Sequence, residues 1–202
     1  MRADAIVFGI AGTLFGVIIG WVLGSQQAAG TARVAAPVAQ ATPAAQQPPA
    51  SPQPAPIDQE RVKALEAAAT QNTKDTQSRV QLGNIFFDAE QYARAIGWYE
   101  QALMINPNDA NVSTDLGVAY YYTNQPDRAL AQFDQSLRVD PKHIKTLLNV
   151  GIVRAFGKQD LPGAAKAWQQ VVDLSPNSPE GQAAKKGLEG IKSAHPDSAG
   201  GK

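Results

Sequence analysis

Residues 82–107 read LGNIFFDAEQYARAIGWYEQALMINP, and residues 116–141 read LGVAYYYTNQPDRALAQFDQSLRVDP. Laid over each other with an offset of 34 residues, they match leucine to leucine, glycine to glycine, aromatic to aromatic and proline to proline. Self-similarity at this period marks a stacked-repeat architecture, in which each unit buries its apolar face only against its neighbours. Arrays of this kind build an extended surface that holds another protein, not a pocket that performs chemistry.

Within each repeat the spacing resolves two helices. Leu82, Gly83 and Phe86 lie on the first, and Ala95, Tyr99 and Ala102 on the second, which Pro107 ends. Spacings of three and four put these residues on facing stripes. Gly83, Ala95 and Ala102 allow the helices to come close, and Leu82, Phe86 and Tyr99 fill the remaining space. A third copy shows Val150-Gly151, then Ala164, Trp168, Val171 and Pro176. It departs in two ways: Arg154 stands at the aromatic position, and one residue is inserted between Gly151 and Ala164.

The period and the L-G-x2-Y, A-x3-F and P pattern resemble the tetratricopeptide repeat family. The resemblance covers roughly 60% of the chain and implies an all-α solenoid of antiparallel helix pairs. Residues 58–75 are expected to be a half repeat, with Leu65 and Ala68 aligned to Tyr99 and Ala102. Repeats are expected at 76–109, 110–143 and 144–177. A polar-backed capping helix is expected over 178–193, with Ser178 as N-cap and Pro179 at its first position, and residues 194–202 form a fraying tail.

Two segments of different composition precede the repeats. Ala5 to Gly24 is a run of 20 residues without a charge, long enough as a helix to cross a bilayer. Residues 1–24 are therefore expected to be a single transmembrane signal anchor, with Trp21 at an interface. A cleaved signal peptide is the competing reading, although the apolar run exceeds the usual length and contains Trp21. Arg2 and the terminal amine favour a cytoplasmic N-terminus and a repeat domain on the exported, periplasmic side. Gly12, Gly16, Gly20 and Gly24 recur every four residues. That spacing offers a smooth face to another helix, from a second copy or a different membrane protein; glycine is also simply common in membrane helices. Residues 25–57 are rich in Ala, Pro and Gln, and no charge lies between Val34 and Ile57. Such a composition cannot form a core and is expected to be a disordered tether. The run Pro48-Pro49-Ala50-Ser51-Pro52 is a plain spacer or a ligand for a proline-binding module.

In the tetratricopeptide family, peptides lie in the concave groove lined by the first helix of each pair. By register, the resemblance assigns Gln77, Val80, Asn84, Phe87 and Asp88 from repeat one. It assigns Asn111, Thr114, Val118, Tyr121 and Tyr122 from repeat two, and Lys145, Leu148, Ile152, Ala155 and Phe156 from repeat three. Phe87, Tyr121, Tyr122 and Phe156 would form an aromatic band beside Asn84 and Asn111, whose amides suit an extended backbone. The alternative is that several of these side chains pack against a neighbouring repeat. A subset of the family clamps a terminal carboxylate with lysines, asparagines and an arginine. Asn84 and Lys145 match that arrangement, but Val80, Asp115 and Asn149 do not. Asp115 would repel a carboxylate, so the clamp is not expected, and a segment with apolar side chains is the better fit.

The chain of 202 residues carries 18 basic and 18 acidic side chains, which gives no argument for a nucleic-acid partner. It has no cysteine, so disulfides, thiolate metal sites, thiol nucleophiles and lipid-bearing cysteines are excluded. Its two histidines, His143 and His195, stand far apart with no metal-binding spacing. No cofactor, metal or catalytic group is expected. The expectation is a non-enzymatic, membrane-tethered scaffold that binds a protein client in its groove to support assembly of an envelope complex. An exported periplasmic assembly factor or chaperone-like client holder, as in cytochrome maturation or envelope maintenance, and a soluble secreted scaffold are the alternatives.

Overall fold

The computed structural model describes residues 54–194. The expected anchor with its glycine face, most of the tether and the end of the tail lie outside the described residues. The described part is all helical: α1 (Gln59–Gln71), α2 (Thr76–Asp88), α3 (Tyr92–Ile105), α4 (Ala110–Tyr122), α5 (Pro126–Val139), α6 (Ile144–Ile152), α7 (Leu161–Leu174) and α8 (Pro179–Ala194). Successive helices pack on one another: α3 against α2 and α4, α7 against α6 and α8. Among the described residues no helix is long and apolar enough to cross a membrane.

The first helices of repeats one and two start on a side-chain cap. Asp75 and Asp109 accept hydrogen bonds from the backbone amides of Ser78 and Val112, both at 3.0 Å. This satisfies a donor that helix geometry leaves without a partner. Each first helix of repeats one and two ends in a Schellman turn. Gln91 N–H donates to the Phe86 carbonyl and Glu90 N–H to that of Phe87; Gln125 to Tyr120 and Asn124 to Tyr121 repeat the arrangement one unit later. Glu90 and Asn124 take positive φ values of 57° and 59°, as this motif requires at that position.

The glycine-to-aromatic pairing sets the distance between the helices of a pair. A methyl group at Gly83 would overlap the Tyr99 ring, one at Gly117 the Phe133 ring, and one at Gly151 the Trp168 ring. Those three rings are buried, and with Leu82, Phe86, Leu116 and Tyr120 they carry much of the two hydrophobic clusters. Above the ring of each first helix lies an arginine from the second. Arg94 sits 3.6 Å from the Phe86 centroid and Arg128 sits 4.0 Å from that of Tyr120. Cation–π contacts of this kind are worth about 0.5–1 kcal/mol each.

Repeat three keeps this plan by a substitution of parts. Its inserted residue enters the end of the first helix, where Val153–Gly157 widens into a π-turn and Lys158 N–H reaches the Val153 carbonyl. Gln159 takes the left-handed position with φ 56°. Arg154, at the aromatic position, bonds Asp160 Oδ2 at 2.6 Å. Its guanidinium borders Gly163, the residue that replaces the ring-covering arginine of the second helix; a methyl at Gly163 would meet it. The cation is thus supplied from the other helix of the pair.

The terminal helix α1 departs from its expected register. In α1 the buried residues are Val62 and Ala69, with Leu65 and Ala68 half-buried, because α1 packs chiefly on α2 and buries a narrower stripe. Arg79 reaches back to donate to the Ala69 and Asp75 carbonyls at 2.9 and 2.7 Å, closing the end of α1 where no proline stands. In α8, Ser178 caps as expected, accepting from Gly181 N–H at 3.0 Å. Ala184 faces the core more deeply than Ala183, and Gly187 lets the helix lie on Trp168.

Candidate functional site

The first helices α2 and α4 bring an aromatic cluster together. The Phe87 and Tyr122 ring centroids lie 5.8 Å apart, edge to face, and Tyr121 stands 6.2 Å from Tyr122. Tyr92, at the start of α3, stacks on Tyr122 at 4.6 Å with an interplanar angle of 8°, and meets Phe87 at 5.2 Å. All four rings are half-buried. Burial raises the phenols above their ordinary range, Tyr122 to about 12 with further pressure from Tyr92, Tyr121 and Glu90. At ordinary pH the face is therefore uncharged at its phenols, which combine an apolar ring with a polar tip.

Phe156 is 38% exposed and rides on the π-turn. Val118 is half-buried beside the aromatic cluster in the first hydrophobic cluster, and Leu148 and Ile152 are half-buried against the second. Lys145 is exposed at the start of α6.

The two asparagines are already engaged. Tyr99 donates its phenolic O–H to Asn84 Oδ1 at 2.8 Å, and His143 Nε2 lies 3.1 Å from Asn111 Oδ1. Each is exposed, but its carbonyl is held, so what it offers a partner is chiefly its amide donors. Two register positions are not on an open face. Ala155 is buried, and Thr114 is 2% exposed. Thr114 belongs to a closed hydroxyl network: its Oγ1 lies 2.6 Å from Thr146 Oγ1 and 3.1 Å from Ser136 Oγ, and it donates to the Ala110 carbonyl at 2.7 Å. His143 Nδ1 meets Thr146 Oγ1 at 2.6 Å and finishes the network. These groups join repeats two and three and are satisfied by one another.

Two carboxylates border the aromatic cluster. Asp88 follows Phe87 at the end of α2, and Asp115 lies two turns before Tyr122 on the same face of α4. Burial drives the Asp115 carboxyl up to about 6; the nearby Lys145 opposes this, while Asp109 and Asp88 reinforce it. Burial also raises Asp88. The Tyr99 phenol is raised by burial and then by Asp115 and Asp88, so both carboxylates lie close to the Tyr99–Asn84 pair. Tyr92 was not assigned from register, since it occupies no groove position of the repeat pattern, whereas Asp115 stands at a clamp position that register did assign. Among the described residues no group of three His, Cys, Asp or Glu is placed to hold a metal.

A model described as "TPR repeat" matches residues 83–124, and one described as "Tetratricopeptide repeat" matches residues 114–179. These are tetratricopeptide repeats. The Sgt2 tetratricopeptide domain from Aspergillus fumigatus is 28% identical over 63% of this chain and 83% of its own, with a TM-score of 0.56. The first tetratricopeptide domain of Spaghetti (RPAP3), solved with the HSP90 peptide SRMEEVD, is 22% identical over 70% of this chain and 98% of its own, with a TM-score of 0.53. The second such domain of human RPAP3, solved with the HSP70 peptide SGPTIEEVD, is 24% identical over 56% and 92%, with a TM-score of 0.52. At these identities the two complexes share the fold of the array. No curated protein sequence matches the chain.

Proposed function

We propose that this chain is a non-enzymatic interaction scaffold whose tetratricopeptide array docks a protein segment on the face formed by α2, α4 and α6. The observation that carries the reading is the half-buried cluster of Phe87, Tyr92, Tyr121 and Tyr122, extended along the array by Phe156. Tyrosine is enriched among the hot spots that carry most of a binding interface's energy. The peptide complexes of the RPAP3 domains support the same use of the fold. The segment docked is extended or helical with apolar side chains.

The reading includes a tether. Residues 5–24 carry no charge over 20 positions and would anchor the scaffold in a membrane, with the array on the exported side as part of an envelope complex. Residues 25–57, as a flexible coil, would give it a reach of roughly 30 Å, which raises the effective concentration of a partner in the same membrane. Gly12, Gly16, Gly20 and Gly24 would then choose the helix, of a second copy or another protein, that the anchor packs against.

The test is a photo-crosslinking side chain placed at position 122 in the full chain, with position 104 as control. Met104 is 76% exposed on α3. A client adduct from position 122 and none from position 104 is expected; equal yields at both would refute docking on this face. Alkaline extraction of the membrane fraction tests the anchor separately, and release of the intact chain would refute it.

A further inference from the structure

The aromatic face is flanked by negative charge that the array leaves open. Among the described residues, neither the Asp88 nor the Asp115 side chain takes part in a hydrogen bond or ion pair; the ion pairs formed involve Glu60, Glu100, Asp127 and Asp160. Asp88 is exposed at the end of α2 and Asp115 is half-buried on α4. The groups that face Asp115 from the helices around it are Asp88 on α2, Tyr99 on α3, Asp109 at the start of α4 and Lys145 on α6. Of these, Asp109 is already used as the cap of α4. Three carboxylates are set against one ammonium.

We propose that the aromatic face selects a basic protein segment, one that seats a lysine or arginine beside Asp88 and Asp115 while neighbouring apolar side chains cover Phe87 and Tyr122. This rests on the docking reading above and adds the charge of the partner. Two independent features agree on a cation. Partly desolvated carboxylates without partners gain from a charge-assisted hydrogen bond. Ring faces with unionised phenols attract cations through their quadrupole. The raised Asp115 carboxyl is consistent with a charge that the free array does not compensate. The same carboxylates repel an acidic segment, such as the EEVD-ending peptides bound by the RPAP3 domains.

The experiment uses the full chain in a neutral detergent and three fluorescein-labelled peptides read by anisotropy. The peptides share one pattern of Phe and Leu and differ only in the intervening residues, which are Lys, Gln or Glu. The Lys peptide is expected to bind at least about tenfold more tightly than the Glu peptide, with the Gln peptide between them. The double variant Asp88→Asn with Asp115→Asn should bring the three together, and Tyr122→Ala should weaken all three. If the peptides bind in a Tyr122-dependent way with no preference for Lys, the basic-segment inference is overturned and docking on the face stands. If none of the three binds, both fall. Should the double variant fail to fold, the order of the three peptides on the unmodified chain still decides the question.

Discussion

Replacing Asp115 by Asn should make the protein more stable at neutral pH. The folded carboxyl is raised from the ordinary 3.8 to about 6, chiefly by burial, with Asp109 and Asp88 adding to it and Lys145 opposing it. A folded-state pKa above the unfolded value means that the folded chain binds its proton more tightly. Stability from this group is therefore fully present below about 3.8 and is lost as pH rises through about 6. Two units at about 1.4 kcal/mol each put the loss near 3 kcal/mol at pH 7. Asn keeps the shape and much of the polarity but not the charge, so the expected gain at neutral pH is about 1–3 kcal/mol. The assay is urea unfolding of both proteins, read by tryptophan fluorescence and circular dichroism, near pH 4 and near pH 7.5. The difference between variant and parent should be small at the lower pH and open in favour of Asn at the higher one. Asp88, also raised by burial, is present in both proteins, and its repulsion of Asp115 is relieved in the variant, which acts in the same direction. A variant no more stable than its parent near pH 7.5, or a difference that does not change with pH, would refute the reasoning.

The glycines separate by what surrounds them. Gly117→Ala should destabilise by about 1–3 kcal/mol because its methyl meets the Phe133 ring. Gly97→Ala, which meets nothing within 4 Å, should stabilise by up to about 1 kcal/mol, and paired denaturant curves read both. Glu90→Gly and Gln159→Gly relieve left-handed backbone and should each add about 0.5–1 kcal/mol, whereas Asn124→Gly should add less, since Asn tolerates that conformation; thermal midpoints rank the three. Arg79→Met removes the donors that close α1 and should cost about 2–3 kcal/mol, with hydrogen exchange in α1 accelerated before the rest of the array. If the basic-segment proposal holds, the advantage of the Lys peptide over the Glu peptide should widen from about pH 5 to about pH 7 as Asp115 ionises, a trend that anisotropy titrations follow directly.

The helix pairs were legible because each depends on a contact inside one period. Gly83 with Tyr99, Gly117 with Phe133 and Gly151 with Trp168 are steric couplings that spacing alone exposes. The face was only partly legible. Phe87, Tyr121 and Tyr122 are brought together as register implies, but Tyr92 joins them from the start of the next helix, a position the pattern leaves open. Asn84 and Asn111 are exposed, yet Tyr99 and His143 hold their carbonyls, a pairing across 15 and 32 residues that no periodicity records. Thr114 shares its register with open groove positions and is nevertheless buried. The available signal was Ser136, a hydroxyl where the preceding repeat has Ala102, since a buried hydroxyl demands a partner. That the extra residue of repeat three enters a helix and not a loop follows from which backbone bonds reform, and residue counting is silent on that.

The π-turn at Val153–Gly157 also bears on how such an array tolerates errors in copying. An added residue in a tightly phased helix would ordinarily rotate everything downstream by about 100° and turn its apolar stripe to water. Here the slip is taken up before α7 begins, and Trp168 still settles over Gly151. The widened turn works as an expansion joint: it confines a frame slip to one place and leaves the beat of later repeats intact. Units joined in this way can drift in length without losing their stacking, so the lineage of such a chain is free to change one repeat at a time.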